Sequence, residues 1–246
     1  MEPATPLATT TGGQRAFPLL RPLGNRDFRL LFSGEAISVL GDQFHFVALA
    51  WLALQLTGSG LVIGTVLMTA AIPRAVLMLV GGAFSDRFSP RTLMLTSNLL
   101  RGVVVGTLAA LVLSGNAQLW QLYVLAGIFG VVDAFFYPAM HTILPMVVAE
   151  RQLPAANALV QGAEQFAGLV GPALAGLLVA AVQTGPAFAI DSASFIISAL
   201  CLALLRGGRR SPPRRPRRAN AGTCWRRSAA GSPTRCRIRR SGRSSC

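Results

Sequence analysis

Gly81-Gly82-Ala83-Phe84-Ser85-Asp86-Arg87-Phe88-Ser89-Pro90-Arg91 joins two long apolar runs, 61–83 and 93–113. About 20 apolar residues, at about 1.5 Å each, cross the ~30 Å hydrocarbon core of a bilayer, so each run is long enough to be a span. The interval between them is too short for a domain. It has to be a tight turn that holds two helix ends at one membrane face. Asp86 and Arg87 are costly in lipid but tolerated among headgroups, and they mark the bilayer edge. Arg87 and Arg91 assign that edge to the cytoplasm, where loops carry the arginine excess.

The rest of the chain repeats this design. Apolar runs lie near 31–56, 61–83, 93–113, 118–138, 159–182 and 187–205. Three breaks carry turn residues and no arginine: Thr57-Gly58-Ser59-Gly60, Ser114-Gly115-Asn116 and Thr184-Gly185-Pro186. The alternate breaks carry Arg87 with Arg91, then Arg151, then the stretch from Arg206. Arg21, Arg26 and Arg29 precede the first run. The expectation is an all-α membrane protein with six transmembrane helices and both termini cytoplasmic, in a plasma (inner) membrane. Residues 139–158 read as a longer amphipathic connection lying along the cytoplasmic surface. The expected divisions are a cytoplasmic segment 1–29, a helix bundle 30–206 and a disordered arginine-rich tail 207–246. With 52% hydrophobic and 13% charged residues and a mean hydropathy of +0.52, an ordinary soluble domain is excluded.

The net charge of +14 resembles a nucleic-acid signal, but its distribution argues otherwise. Residues 1–205 hold nine Arg and all nine acids, whereas 206–246 hold the other 14 Arg and no acid. The tail is too poor in apolar residues to form a core. Three readings of it stay open: a basic segment on an anionic leaflet, a non-specific nucleic-acid binder, or an out-of-frame translation of a GC-rich gene. The absence of Lys and the abundance of Ala, Gly and Arg favour the third. Cys201, Cys224, Cys236 and Cys246 show no metal-ligand or disulfide spacing. No cleavable signal peptide is visible.

Ionisable residues within spans cost about 2.5–3.5 kcal/mol each on insertion scales, and are expected to face a cavity or one another. Glu35, Ser38, Asp42 and His45 fall on one helical face of the first span. Asp133, Tyr137 and His141 do so on the fourth, and Asn157, Gln161 and Glu164 on the fifth. Asp42-x-Phe44-x-Phe46 and Asp133-x-Phe135-x-Tyr137 share a pattern. Arg74 and Arg101 need carboxylate partners, for which Asp42, Asp133 and Asp191 are available. A structural ion pair and a coupling role both stay open for them. Glu164 either binds a proton or cationic cargo, or makes a simple hydrogen bond. The two His lie on different spans, and there is no GxSxG, phosphate loop or metal-ligand spacing, so no enzyme, cofactor or metal is expected.

The loop resembles the signature between the second and third helices of the major facilitator superfamily. Gly82, Asp86, Arg87 and Arg91 match that pattern, with Ser89 where the family usually has Gly. Gly171-Pro172 with Gly176 resembles the antiporter motif of the family's exporters, with Ala175 in place of one glycine. Residues 135–158 and Asp191-Ser192-Ala193-Ser194-Phe195 resemble the drug- and siderophore-exporter branch, which includes enterobactin exporters and macrolide efflux pumps. The resemblance covers residues 21–205. It implies one six-helix half of the twelve-helix fold, itself a 3+3 inverted repeat, in a chain truncated after the sixth helix. It further implies proton-coupled export of small amphipathic molecules, with Asp42, His45, Asp133 and Glu164 along the path. The expected partners are the lipid bilayer, a small-molecule substrate, protons, and a missing C-terminal half or a second copy; no specific nucleic acid is expected. The alternative is a non-transporting six-helix protein whose tail binds anionic lipid or nucleic acid.

Overall fold

The computed structural model describes residues 18–85 and 89–205. Asp86 and Arg87 of the loop signature, the first 17 residues and the arginine-rich stretch 206–246 lie outside the described residues. After a short 3-10 segment, Pro18–Gly24, come six α-helices: α1 Arg26–Thr57, α2 Gly60–Ser85, α3 Pro90–Leu113, α4 Leu119–Val147, α5 Leu153–Val182 and α6 Thr184–Ala203. All six are long and apolar enough to cross a membrane. No strand occurs among the described residues.

Local chemistry sets the helix ends. The Asn25 side chain accepts from the Asp27 N–H (3.1 Å) and caps α1. Its amide nitrogen donates to the Val147 carbonyl (2.7 Å), tying the start of α1 to the end of α4. Gly58, at φ 65°, closes α1 in the left-handed conformation. Pro90 opens α3 from the N-cap position Ser89. Arg91 donates to the carbonyls of Leu202 (3.0 Å) and Ala203 (2.7 Å), so this member of the signature caps the last turn of α6.

Two sequence expectations are corrected. The connection expected at 139–158 is mostly helix: α4 continues to Val147 and α5 begins at Leu153, leaving only a 3-10 turn, Glu150–Gln152. The apolar face of α4 does not stop at Pro138. Ala139, Met140, Ile143 and Leu144 keep helical spacing and bury against Phe28, Leu31, Met94, Ala156 and Val160. That packing outweighs the backbone bonds lost at Pro138 and Pro145. Likewise Thr184, Gly185 and Pro186 form the first turn of α6 rather than a loop, because proline is tolerated in a first turn. The chain reverses at Gln183, whose φ is 70°.

α1 packs on α5 and α6, α4 packs on α2 and α3, and α3 packs on α6. Exchanging α1–α3 with α4–α6 maps these contacts onto themselves, as a 3+3 repeat requires. Two apolar clusters result, one near each end of the bundle. Between them lies a polar layer of Glu35, Ser38, His45, Asn98, Arg101, Asp133, Asp191, Ser194 and Ser198, all buried. The outer surface is apolar. Leu61, Met68, Ile72 and Val76 form an exposed stripe on α2, as lipid contact demands. Trp51 and Trp120 are exposed at the arginine-free end, and the Trp120 indole donates to Gln118 (2.7 Å). Such aromatics mark a membrane–water interface.

Candidate functional site

α1, α2, α3, α4 and α5 contribute to a cavity of about 290 Å³ at the polar layer, lined in part by Glu35, Asp42, Arg74, Arg101, Asp133 and Glu164. Phe46, Phe136, Tyr137, Gln43 and Gln165 complete much of its wall. A second chamber of about 240 Å³ shares Glu35, Phe136, Tyr137, Glu164 and Gln165, and extends to His141, Asn157 and Gln161. A third, of about 490 Å³, shares Phe46, Arg74, Phe129 and Asp133 and is otherwise walled by Leu67, Ala70, Ala71, Ala75, Met78 and Gly130.

Both arginines bind one acid. Arg101 donates through NH1 to Asp133 Oδ1 (2.9 Å), and Arg74 Nε lies 3.0 Å from Asp133 Oδ2. Arg101 also donates to Asn98 Oδ1 (2.7 Å), and Asn98 Nδ2 donates to Ser198 Oγ (2.9 Å). The Arg101 guanidinium lies over Phe136 (4.2 Å) and Phe195 (4.6 Å), and that of Arg74 over Tyr137 (5.1 Å). Glu35, Asp42 and Glu164 have no Arg or His nitrogen within 4 Å among the described residues. Asp42 Oδ1 is buried without a hydrogen-bond partner.

The structure brings Asp42, Asp133 and Glu164 to one cavity and removes His45 from it. Relative to Glu35, helical rotation of about 100° per residue leaves Asp42 nearly in line and turns Ser38 and His45 by about 60–80°. The expected single stripe therefore divides between the cavity and the α6 side. His45 is buried against Phe129 and faces Asp191. Asp191, expected to pair with an arginine, has this histidine instead. Asp42 with Phe46, and Asp133 with Tyr137, meet across the same cavity, so the shared pattern converges from two helices. Of the antiporter-like residues, Gly171 and the neighbouring Ala175 are buried, and a Cβ at Gly171 would run into Gln43 of α1. Pro172 and Gly176 are exposed. Gly82 lies in the last turn and a half of α2.

Glu35, on the polar face of the first span, is 7% exposed and lines both polar chambers. Asn98 was not singled out at all. Its signal was present: a polar residue three before Arg101 in an apolar span shares its helical face. Among the described residues, no group of three His, Cys, Asp or Glu could hold a metal.

The chain matches the family model of the Major Facilitator Superfamily over residues 31–241. It is 32% identical over 189 residues to YfiS of Bacillus subtilis (strain 168), an uncharacterized MFS-type transporter; the match covers 76% of this chain and 44% of that protein. It is 24% identical to Macrolide efflux protein A of Streptococcus pyogenes, over 73% of this chain and 44% of that protein. It is 30% identical to the multidrug efflux pump Tap of Mycolicibacterium fortuitum, over 68% and 42% respectively. In each comparison, less than half of the relative is matched. Six apolar helices in a three-plus-three arrangement and a family match across most of the sequence lead to one conclusion: this chain belongs to the Major Facilitator Superfamily.

Proposed function

We propose that the bundle is one half of an exporter that couples movement of small amphipathic molecules to protons, and that both bind in the charged cavity. The carrying observation is the imbalance of charge. Arg74 and Arg101 are both committed to Asp133, which leaves Glu35, Asp42 and Glu164 lining the same cavity with no Arg or His nitrogen within 4 Å among the described residues. Carboxyl groups at this depth are costly, and proton exchange is a use that explains their presence. Amphipathic cargo fits a polar cavity that opens on the largely apolar chamber beside Phe46, Leu67 and Phe129. The macrolide and multidrug efflux activities named for two relatives favour export. Alternating access needs an opposing six-helix half, supplied by further sequence or a second copy of this chain.

The test is efflux of a lipophilic fluorescent amine from proteoliposomes holding the full chain at several protein-to-lipid ratios. An imposed pH gradient is expected to accelerate efflux, and Asp42→Asn and Glu164→Gln each to reduce it severalfold. No gradient-dependent efflux at any ratio would leave ancestry without activity.

The same reading places both termini in the cytoplasm of the plasma membrane. Alkaline phosphatase, which needs an oxidising compartment to form its disulfides, should be active when fused after Gly115 and inactive after Arg151. The reverse pattern would invert the proposed topology.

A further inference from the structure

Behind the cavity, where α1 faces α6, a second polar pair takes no part in the charged cluster. His45 is 3% exposed and Asp191 fully buried. His45 Nδ1 lies 3.5 Å from Asp191 Oδ2, and neither atom makes a hydrogen bond. The imidazole stacks on Phe129 at 4.6 Å, with Phe46 and Phe188 edge-on at 5.8 and 5.6 Å. The Ser194 hydroxyl donates to the Asp191 backbone carbonyl (2.7 Å) and, more weakly, to the other carboxylate oxygen of Asp191 (3.3 Å). Buried polar atoms left unpaired destabilise the fold. A proton on Nδ1, directed at the carboxylate with a small closing movement, satisfies both together.

The repeat shows why this pair differs from the other. The Asp42 and Asp133 patterns are offset by 91 positions, and the same offset carries Arg101 to Ser192, next to Asp191. The helix pair α3–α4, which carries Arg101 and Asp133, corresponds to the pair α6–α1, where the polar contact is Asp191 with His45, one residue and three residues from the positions the offset gives. The first has a permanent cation. In the second, the basic member is a histidine, charged only when it has taken up a proton.

We propose that His45 and Asp191 form a proton-binding site distinct from the cavity and loaded through Asp42. Asp42 stands three residues before His45 on the same helix, and residues so spaced are neighbours. In loading, a proton leaves the Asp42 carboxyl group and joins the His45 imidazole. Asp42 becomes a carboxylate, and His45 an imidazolium paired with Asp191. Unloading reverses the transfer. The charged groups around the pair are Asp42 on α1 and Arg101 on α3; Arg74 on α2, Asp133 on α4 and Glu164 on α5 stand on the cavity side. The site's part in coupling rests on the export reading, but its proton binding does not.

The test is nitrogen NMR of ring-labelled histidine in the full chain in micelles. The sequence has two histidines, and His141→Gln leaves His45 as the one signal. His45 is expected to titrate, and Asp191→Asn to lower its proton affinity about tenfold, one pH unit. Glu164→Gln should change it less than twofold. Ser194→Ala, a milder variant, removes a donor to Asp191 and should shift the affinity the opposite way. A His45 signal that does not titrate between about pH 4 and pH 9, or that ignores both variants at Asp191 and Ser194, overturns the proposal. Dye efflux is read separately: its absence in the unaltered chain counts against export and leaves the titration result standing.

Discussion

Replacing Asp133 by asparagine is expected to destabilise the bundle by about 3–5 kcal/mol, the scale on which removing one partner strands a buried charge. Arg101 is the charge that would be stranded. It is 2% exposed, boxed between Phe136 and Phe195, and its Nε already lacks a partner. Asn98 would keep its hydrogen bond to Arg101 but carries no charge with which to replace Asp133. Arg74 is a different case. Its side chain is 36% exposed and can turn towards the cavity, so Arg74→Gln should cost about 0–1 kcal/mol. Detergent-driven unfolding in mixed micelles, followed by tryptophan emission, separates the two. A loss below about 1 kcal/mol in Asp133→Asn would mean that the Arg101 pocket is wetter than its packing indicates.

The spans were legible because lipid imposes a length of about 20 apolar residues that a sequence displays directly. The helix ends were less so. Pro138, Pro145 and Pro186 are turn signals in isolation, yet each lies within a helix. At 139–144 the decision rests with long-range burial against α1, α3 and α5, which no local window contains. The acids and arginines of the site were visible as misfits in apolar runs. Their pairing was not, since three carboxylates were available and only the fold places Arg74 and Arg101 on the same one. His45 shows a finer limit: helical spacing alone could not tell whether 60–80° of rotation would leave it in the cavity or carry it to the α6 side.

That shared ion pair depends on a glycine two helices must agree on. Gly130 of α4 lies against Ala70 of α2, and a Cβ there would strike the Ala70 carbonyl oxygen and lie 2.8 Å from its carbon. The obstacle is backbone, so it cannot swing aside as a side chain would; the helices must separate or slide. Small residues at a helix crossing exist for such approaches. Asp133 stands three residues after Gly130 and Arg74 four after Ala70, so the crossing also sets the 3.0 Å contact between them. Gly130→Ala should therefore cost about 1–3 kcal/mol, the usual range for overpacking, and Gly130→Val more. Gly176→Ala is the matched control. Nothing lies within 4 Å of a Cβ there, and alanine's helix preference over glycine favours it by about 1 kcal/mol. If the two alanine variants unfold at the same detergent fraction, the α2–α4 crossing is not as close as the structure has it. If only Gly130→Ala is weakened and its gradient-dependent efflux falls with it, the crossing sets the cavity's ion pair as well as the fold.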